Sequence, residues 1–261
     1  MIKNTKKSTQ IKNNKKQEKS ASPPPNRRRL LVIILFLLFA IMAGTWLWQQ
    51  NYATTFDPNE QLTKGMENTF HSESYAFKSH STLYLDNTAN NAQQTREERV
   101  FAVIEGEKNG SNRHISGSVL GTDIEMYLVD GTLHRRDSID GTWHSVPMAN
   151  IAQGAMLTNE MDPQYNFHFS EIGGVEYVGR ENINGQKLDK FVFKPILEDK
   201  WIVKYFGDIT FTIWLTTGRN PYMVQSIISA VSKENTAATL VIENYFSNFN
   251  QVDPIQAPVM Q

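Results

Sequence analysis

The chain has 261 residues with 26 basic and 27 acidic side chains, and no cysteine. That absence excludes a disulfide framework, thiolate metal sites and a lipid anchor attached through cysteine. The near-neutral total hides an asymmetry: residues 1–29 hold ten Lys or Arg against one acid, a net +9, whereas residues 30–261 carry a net −10.

Residues 1–29 are rich in Lys, Asn, Gln and Ser, with Pro23-Pro24-Pro25 near their end. Too little of this tail is apolar to offset chain entropy, so it reads as a disordered basic tail. No fold or aromatic interleaving accompanies its charges, which argues against nucleic acid. Residues 30–48, LLVIILFLLFAIMAGTWLW, contain no charge. As a helix they span about 28 Å, close to the hydrocarbon thickness of a bilayer. Arg27, Arg28 and Arg29 abut this run, and Trp46 and Trp48 suit an aromatic belt at its other end. The positive-inside rule then puts the N-terminus in the cytoplasm and the rest of the chain outside. The rival reading is a cleaved signal peptide with Ile41-Met42-Ala43 as its cleavage site; the long basic region and the continuation through Trp-Leu-Trp favour an uncleaved anchor.

Residues 49–56 read as a linker and residues 57–261 as one extracytoplasmic domain. Asp57 suits a helix N-cap, Pro58 the first helical position, and Glu60 the third residue of a capping box. Leu62, Met66 and Phe70 then form one apolar stripe on a helix ending near Ser72. Strand patterns follow over 75–85, 99–107, 114–120, 123–129, 132–139 and 142–146. Asp130-Gly131 and Asp140-Gly141 read as two-residue turns of type I′. Met148, Ile151, Ala152, Ala155 and Met156 fit a short helix within 147–162. Strands resume over 174–180 and 188–194, joined by a third turn at Asn184-Gly185. Residues 197–206 read as another short helix stopped at Gly207. In 209–215, Ile209, Phe211, Ile213 and Leu215 alternate with Thr210, Thr212 and Trp214, a half-buried strand. Strands over 222–231 and 238–246 complete the chain. About ten or eleven antiparallel strands with two or three helices make the domain α+β, and a sheet of that size must curl, close or split.

No catalytic motif is present: there is no G-x-S-x-G, S-x-x-K, H-E-x-x-H or P-loop. Paired acids such as Glu97-Glu98 sit among basic residues and read as a solvated face. His134 and His144 have similar offsets around the Asp-Gly turns and would meet across a hairpin, but two His without a third ligand do not specify a metal site. No cofactor or metal is expected. The aromatic residues are the remaining candidates. Trp143, Phe191, Phe193, Trp201, Tyr205, Phe211 and Trp214 would line an apolar groove if a curved sheet leaves more apolar surface than its helices fill; otherwise they form the core.

Three segments carry a resemblance to a known family. Residues 128–133 with 140–147, Leu-Val-Asp-Gly-Thr-Leu and Asp-Gly-Thr-Trp-His-Ser-Val-Pro, resemble its D-G-x-W-x-x-V/I-P element. Residues 175–181 through Asn184-Gly185-Gln186 to Phe191-Val192-Phe193 resemble its Y-x-G-x-E-x-I-N-G hairpin, and residues 245–258 its closing Y-x-F-S-D-F/Y-N segment. The family is the lipoprotein-carrier-like superfamily, which includes outer-membrane lipoprotein carriers and mycobacterial-type lipid-transfer lipoproteins. The resemblance covers about residues 57–258. It implies a half-open, strongly curved antiparallel half-barrel with helices on the concave side. It also implies binding of lipids or lipidated proteins, in some relatives envelope-stress sensing, and no catalytic residues. The transmembrane helix in place of a lipobox cysteine departs from many Gram-positive relatives. A tether of this kind favours local binding, sensing or hand-over at the membrane surface over long-range carriage. The expected partners are therefore the membrane, a lipid or lipoprotein ligand, or an envelope protein that uses this chain as a non-catalytic sensor or interaction subunit.

Overall fold

A computed structural model of the chain describes residues 34, 36–47, 56–87, 95–150, 162–197 and 201–259. Residue 34 and residues 36–47 are helical. The basic tail 1–29, the linker residues 49–55, and residues 30–33, 35 and 48 of the apolar stretch lie outside the described residues. Among the described residues no helix is long and apolar enough to cross a membrane.

Residues 56–261 form one compact unit. It opens with helix α1, Pro58–Phe70. Asp57 caps it: its carboxylate accepts the Asn59 N–H at 2.9 Å and the Glu60 N–H at 3.5 Å, satisfying donors that the first helical turn leaves unpaired. Leu62, Gly65, Met66 and Thr69 face inward and are buried. Among the described residues eleven strands follow: β1 (Ser74–Asn87), β2 (Thr95–Asn109), β3 (Asn112–Val119), β4 (Thr122–Val129), β5 (Thr132–Arg136), β6 (Trp143–Pro147), β7 (Glu171–Ile183), β8 (Gln186–Ile196), β9 (Phe206–Thr216), β10 (Met223–Ser232) and β11 (Ala238–Ser247). Among the described residues, two 3-10 helices, Met148–Asn150 and Pro163–Phe167, lie between β6 and β7, and helix α2, Trp201–Tyr205, lies between β8 and β9.

All eleven strands belong to one antiparallel sheet, in the order β6-β5-β4-β3-β2-β1-β11-β10-β9-β8-β7. Among the described residues the sheet is open, with β6 and β7 as its edges. Its centre is the pairing of the first strand with the last, Phe77 opposite Phe246. This is the α+β half-barrel arrangement expected from the sequence. β1 and β2 run further than the sequence pattern suggests, because Asp86 pairs with Arg96 across them and the Arg96 guanidinium lies 3.9 Å from the Tyr84 ring centre. Residues 88–94 of that connection, and residues 151–161 of the helix expected within 147–162, lie outside the described residues.

Turn chemistry sets the register. Asp130 and Gly131 have φ of 49° and 73°, and Asn184 and Gly185 have 52° and 83°, the left-handed pair that a type I′ turn needs. Leu120-Gly121 is a further turn of this kind. Asp140-Gly141 is not one. β5 stops at Arg136, and the Asp137 carboxylate accepts the Ile139 N–H at 2.7 Å, so residues 137–142 form a longer loop. A side chain competing for its own backbone has shortened the strand.

Helix and sheet meet closely at Gly65, where a Cβ would lie 2.6 Å from a Leu215 methyl group. Within the sheet, Gly106 leaves room for the ring of Phe77, which a Cβ would approach to 2.5 Å. α1 is tied to β10 by the Met223 N–H, which donates to the Thr69 hydroxyl at 2.7 Å.

Candidate ligand-binding face

Residues paired across an antiparallel sheet point the same way, and neighbours along a strand point opposite ways. Away from the β-bulges, the register therefore assigns strand residues to an inner face, against α1, or an outer face. One inner row is Phe191, Ile213, Ser226, Asn244, Ser79 and Ile104. The next is Phe193, Phe211, Ile228, Ile242, Ser81 and Ala102.

Of the seven candidate aromatics, this pattern brings three together. Phe191, Phe193 and Phe211 are buried on the inner face. Phe193 and Phe211 have ring centres 5.5 Å apart, and Phe169 packs on both at 5.5 and 5.1 Å. Phe167 reaches Phe211 at 5.8 Å, and Phe70 reaches Phe167 at 5.2 Å and Phe246 at 5.8 Å. These rings fill the inner face between β1 and β8.

Trp214 falls on the outer face, between the inward Ile213 and Leu215. Its indole N–H donates to Glu181 at 2.8 Å and the Lys190 ammonium lies 5.1 Å from its ring centre. Trp143 is also outward, 5.6 Å from the Tyr127 ring, which stacks on His114 at 4.1 Å. Tyr205 is exposed at the end of α2 with the Lys204 ammonium 5.2 Å from its ring centre. Trp201 begins α2, and its side chain lies outside the described residues. The seven residues are thus not one surface, because strand parity separates side chains that their aromatic character groups together.

The two histidines expected to meet do not. His134 pairs with Ser145, and Arg135 with His144, so His134 and His144 point to opposite faces. His134 Nδ1 lies 2.8 Å from the Ser145 hydroxyl. Among the described residues no group of three His, Cys, Asp or Glu could hold a metal ion.

The inner face differs at its two ends. Towards β7 it is aromatic and covered: α1 packs on β7, β9 and β10, and α2 on β9. Towards β5 it is aliphatic. Ile115 and Met126 are buried there, while Val119, Ile124, Leu128 and Leu133 remain only partly buried.

Charged residues at inward positions tie the helical segments to this face. The Arg113 guanidinium donates to Asp162 at 2.8 Å, and Asp162 caps the second 3-10 helix by accepting the Gln164 N–H at 2.9 Å. The Tyr75 hydroxyl donates to Gln164 at 3.4 Å, and burial pushes its phenol far above the ordinary tyrosine range. Lys108 donates to the carbonyls of Phe70 and Ser72 at 2.9 and 3.1 Å, closing the C-terminal end of α1; burial lowers its pKa. Sequence reasoning missed these residues. Their signal was parity: Arg113 shares the side of Ile115, and Lys108 that of Gly106 and Ile104. Asn244 was missed too. It is fully buried on the inner face, donates to Ser226 at 3.0 Å, and its carbonyl oxygen has no hydrogen-bond partner.

No protein family and no curated protein matches the chain by sequence. Among solved structures it is similar to lipoprotein LppX from Mycobacterium tuberculosis, at 12% identity and a TM-score of 0.47, over 77% of this chain and 100% of that one. It is similar to LprF from Mycobacterium bovis at 15% identity and a TM-score of 0.45, over 77% and 96% of the two chains. It is also similar to a LolA-superfamily protein from Nitrosomonas europaea at 8% identity and a TM-score of 0.29, over 74% and 94%. At these values the similarity carries no information on what this chain binds.

Proposed function

We infer that the chain is a single-pass membrane protein, anchored by residues 30–48 with its N-terminus cytoplasmic, and that its extracytoplasmic domain binds a lipid, an acyl chain or a lipidated protein without catalysis. The charge asymmetry supports the orientation. The anchor is supported by Phe36, Leu37, Leu38, Phe39, Ile41 and Met42, which are all exposed. Consecutive helical positions cover every side of a helix, and one apolar all round needs an apolar surrounding.

The observation that favours an apolar ligand is the partly buried aliphatic wall of Val119, Ile124, Leu128 and Leu133 on the inner face. The predicted aromatic groove is instead packed, so this wall is where an acyl chain gains contact. The test uses the full chain in phosphatidylcholine nanodiscs that contain a phospholipid with a diazirine-bearing acyl chain. Photocrosslinks at Ile124, Leu128 or Leu133, lost in Leu128→Asp while the far-UV spectrum is kept, are the expected result. Crosslinks confined to residues 30–48 would overturn it.

A second reading, an interaction or sensor subunit, is favoured by the β7 edge. Among the described residues this strand, Glu171–Ile183, has β8 as its one neighbour in the sheet, and an edge position of this kind suits strand addition by a partner. Protein rather than lipid crosslinks, centred on 171–183, would establish it.

A further inference from the structure

In an antiparallel meander the connections alternate between the two ends of the sheet. The β2–β3, β4–β5, β7–β8 and β9–β10 connections share one end. Their tips are Gly110-Ser111, Asp130-Gly131, Asn184-Gly185 and Gly218-Arg219-Asn220, all exposed and all turn-forming or polar. The opposite end has one exposed polar turn, Lys233-Glu234-Asn235-Thr236 between β10 and β11, but three of its described tips are apolar. Leu120 stands at the β3–β4 tip with 69% of its surface exposed, Ile139 in the β5–β6 loop with 94%, and Tyr205 between β8 and β9, also exposed. Leu120 has φ 51°, a left-handed conformation that favours Gly, Asn or Asp at this place in a hairpin. A leucine here strains the turn and gains nothing from the core, and strain of this kind points to a role at the surface.

We propose that this end of the half-barrel is a membrane-contact rim, with Leu120, Ile139 and Tyr205 entering the interfacial layer of the bilayer that holds the anchor. The proposal rests on the membrane anchoring inferred above. Residues 49–55 are all that separate the apolar stretch from Phe56, and an extended chain of seven residues reaches at most about 25 Å. The domain is therefore confined close to the bilayer surface. The tips suit such contact. The β3–β4 and β5–β6 tips stand two strands apart, about 10 Å. Tyrosine flanked by lysine, as in Tyr205 with Lys204, is an interfacial pairing. Charge does not drive it: Asp123, Asp137 and Asp140 flank Leu120 and Ile139, while Lys204, Lys233 and Glu234 lie beside Tyr205. Contact should occur on zwitterionic lipid and gain nothing from anionic lipid.

The absence of cysteine makes the test direct. Single variants Leu120→Cys, Ile139→Cys and Tyr205→Cys, with Ser111→Cys at the other end as control, are labelled with an environment-sensitive fluorophore. Each full-length chain is reconstituted in phosphatidylcholine vesicles with and without doxyl-labelled phosphatidylcholine. The expected result is blue-shifted emission quenched by the doxyl lipid at 120, 139 and 205, with neither effect at 111, and no increase when phosphatidylglycerol is added. Equal behaviour at all four positions would overturn the rim. So would emission changes at the three rim positions that follow protein density and ignore the doxyl lipid, which would identify a second copy as the occupant. Acyl photocrosslinking at Leu128 in a Leu120→Ser/Ile139→Ser double variant separates the two proposals, because rim failure leaves it intact.

Discussion

Asn244 and Glu181 show how single polar groups are managed on the two faces of this sheet. On the inner face the Asn244 carbonyl is buried without a partner, which costs about 1–3 kcal/mol of desolvation. Replacing both members of its pair, Asn244→Leu with Ser226→Ala, removes that cost and the hydrogen bond together. The double variant is expected to unfold in urea at or above the wild-type midpoint, whereas Ser226→Ala alone lowers it. On the outer face, hydrogen bonds from Lys190 and then from the Trp214 indole hold the Glu181 carboxyl below the usual carboxylate range. A depressed folded value means that these bonds contribute fully above the unfolded value of 4.5 and are lost as pH falls through the folded value. The difference in emission between wild type and Trp214→Phe should therefore stay constant from neutral pH down to 4.5 and change below it. In Glu181→Gln that acid transition should be missing.

At the scale of elements, the second 3-10 helix and α1 are held on the inner face by charge as well as by rings. Asp162 is nearly buried, and Arg113 keeps about a quarter of its side-chain exposure. Removing one partner of such a pair strands the other, at a cost of about 3 kcal/mol, the low end for a buried pair because Arg113 is partly solvated. Arg113→Met should lower the urea midpoint accordingly. Adding Asp162→Asn should recover part of the loss, since the amide oxygen still caps the Gln164 N–H. α1 was readable from its cap and its apolar stripe, both local features. Most strands were readable from alternation. β5 was read too long because the competing Asp137 carboxylate is a matter of loop geometry.

For the whole molecule, the open sheet predicts a gradient of local stability. β1, β11, β10 and β9 are paired on both sides and bear the core, whereas β6 is a five-residue edge strand exposed over most of its length. Native-state hydrogen exchange should show protection near the global value in β1 and β9–β11, and the fastest exchange at β6. Comparable protection at β6 would mean that something pairs with that edge. The sequence by itself determined the apolar stretch, the charge asymmetry, the strand count and the α1 cap. Each depends on residues close together in the chain, through periodicity, turn chemistry or net charge. The face that each aromatic occupies was decided only by the tertiary structure. Register is a long-range property, and a shift of one residue sends Trp214 or His144 to the other side of the sheet. The same holds for the Arg113–Asp162 pair, 49 residues apart, and for the pairing of the first strand with the last that makes a single sheet of the domain.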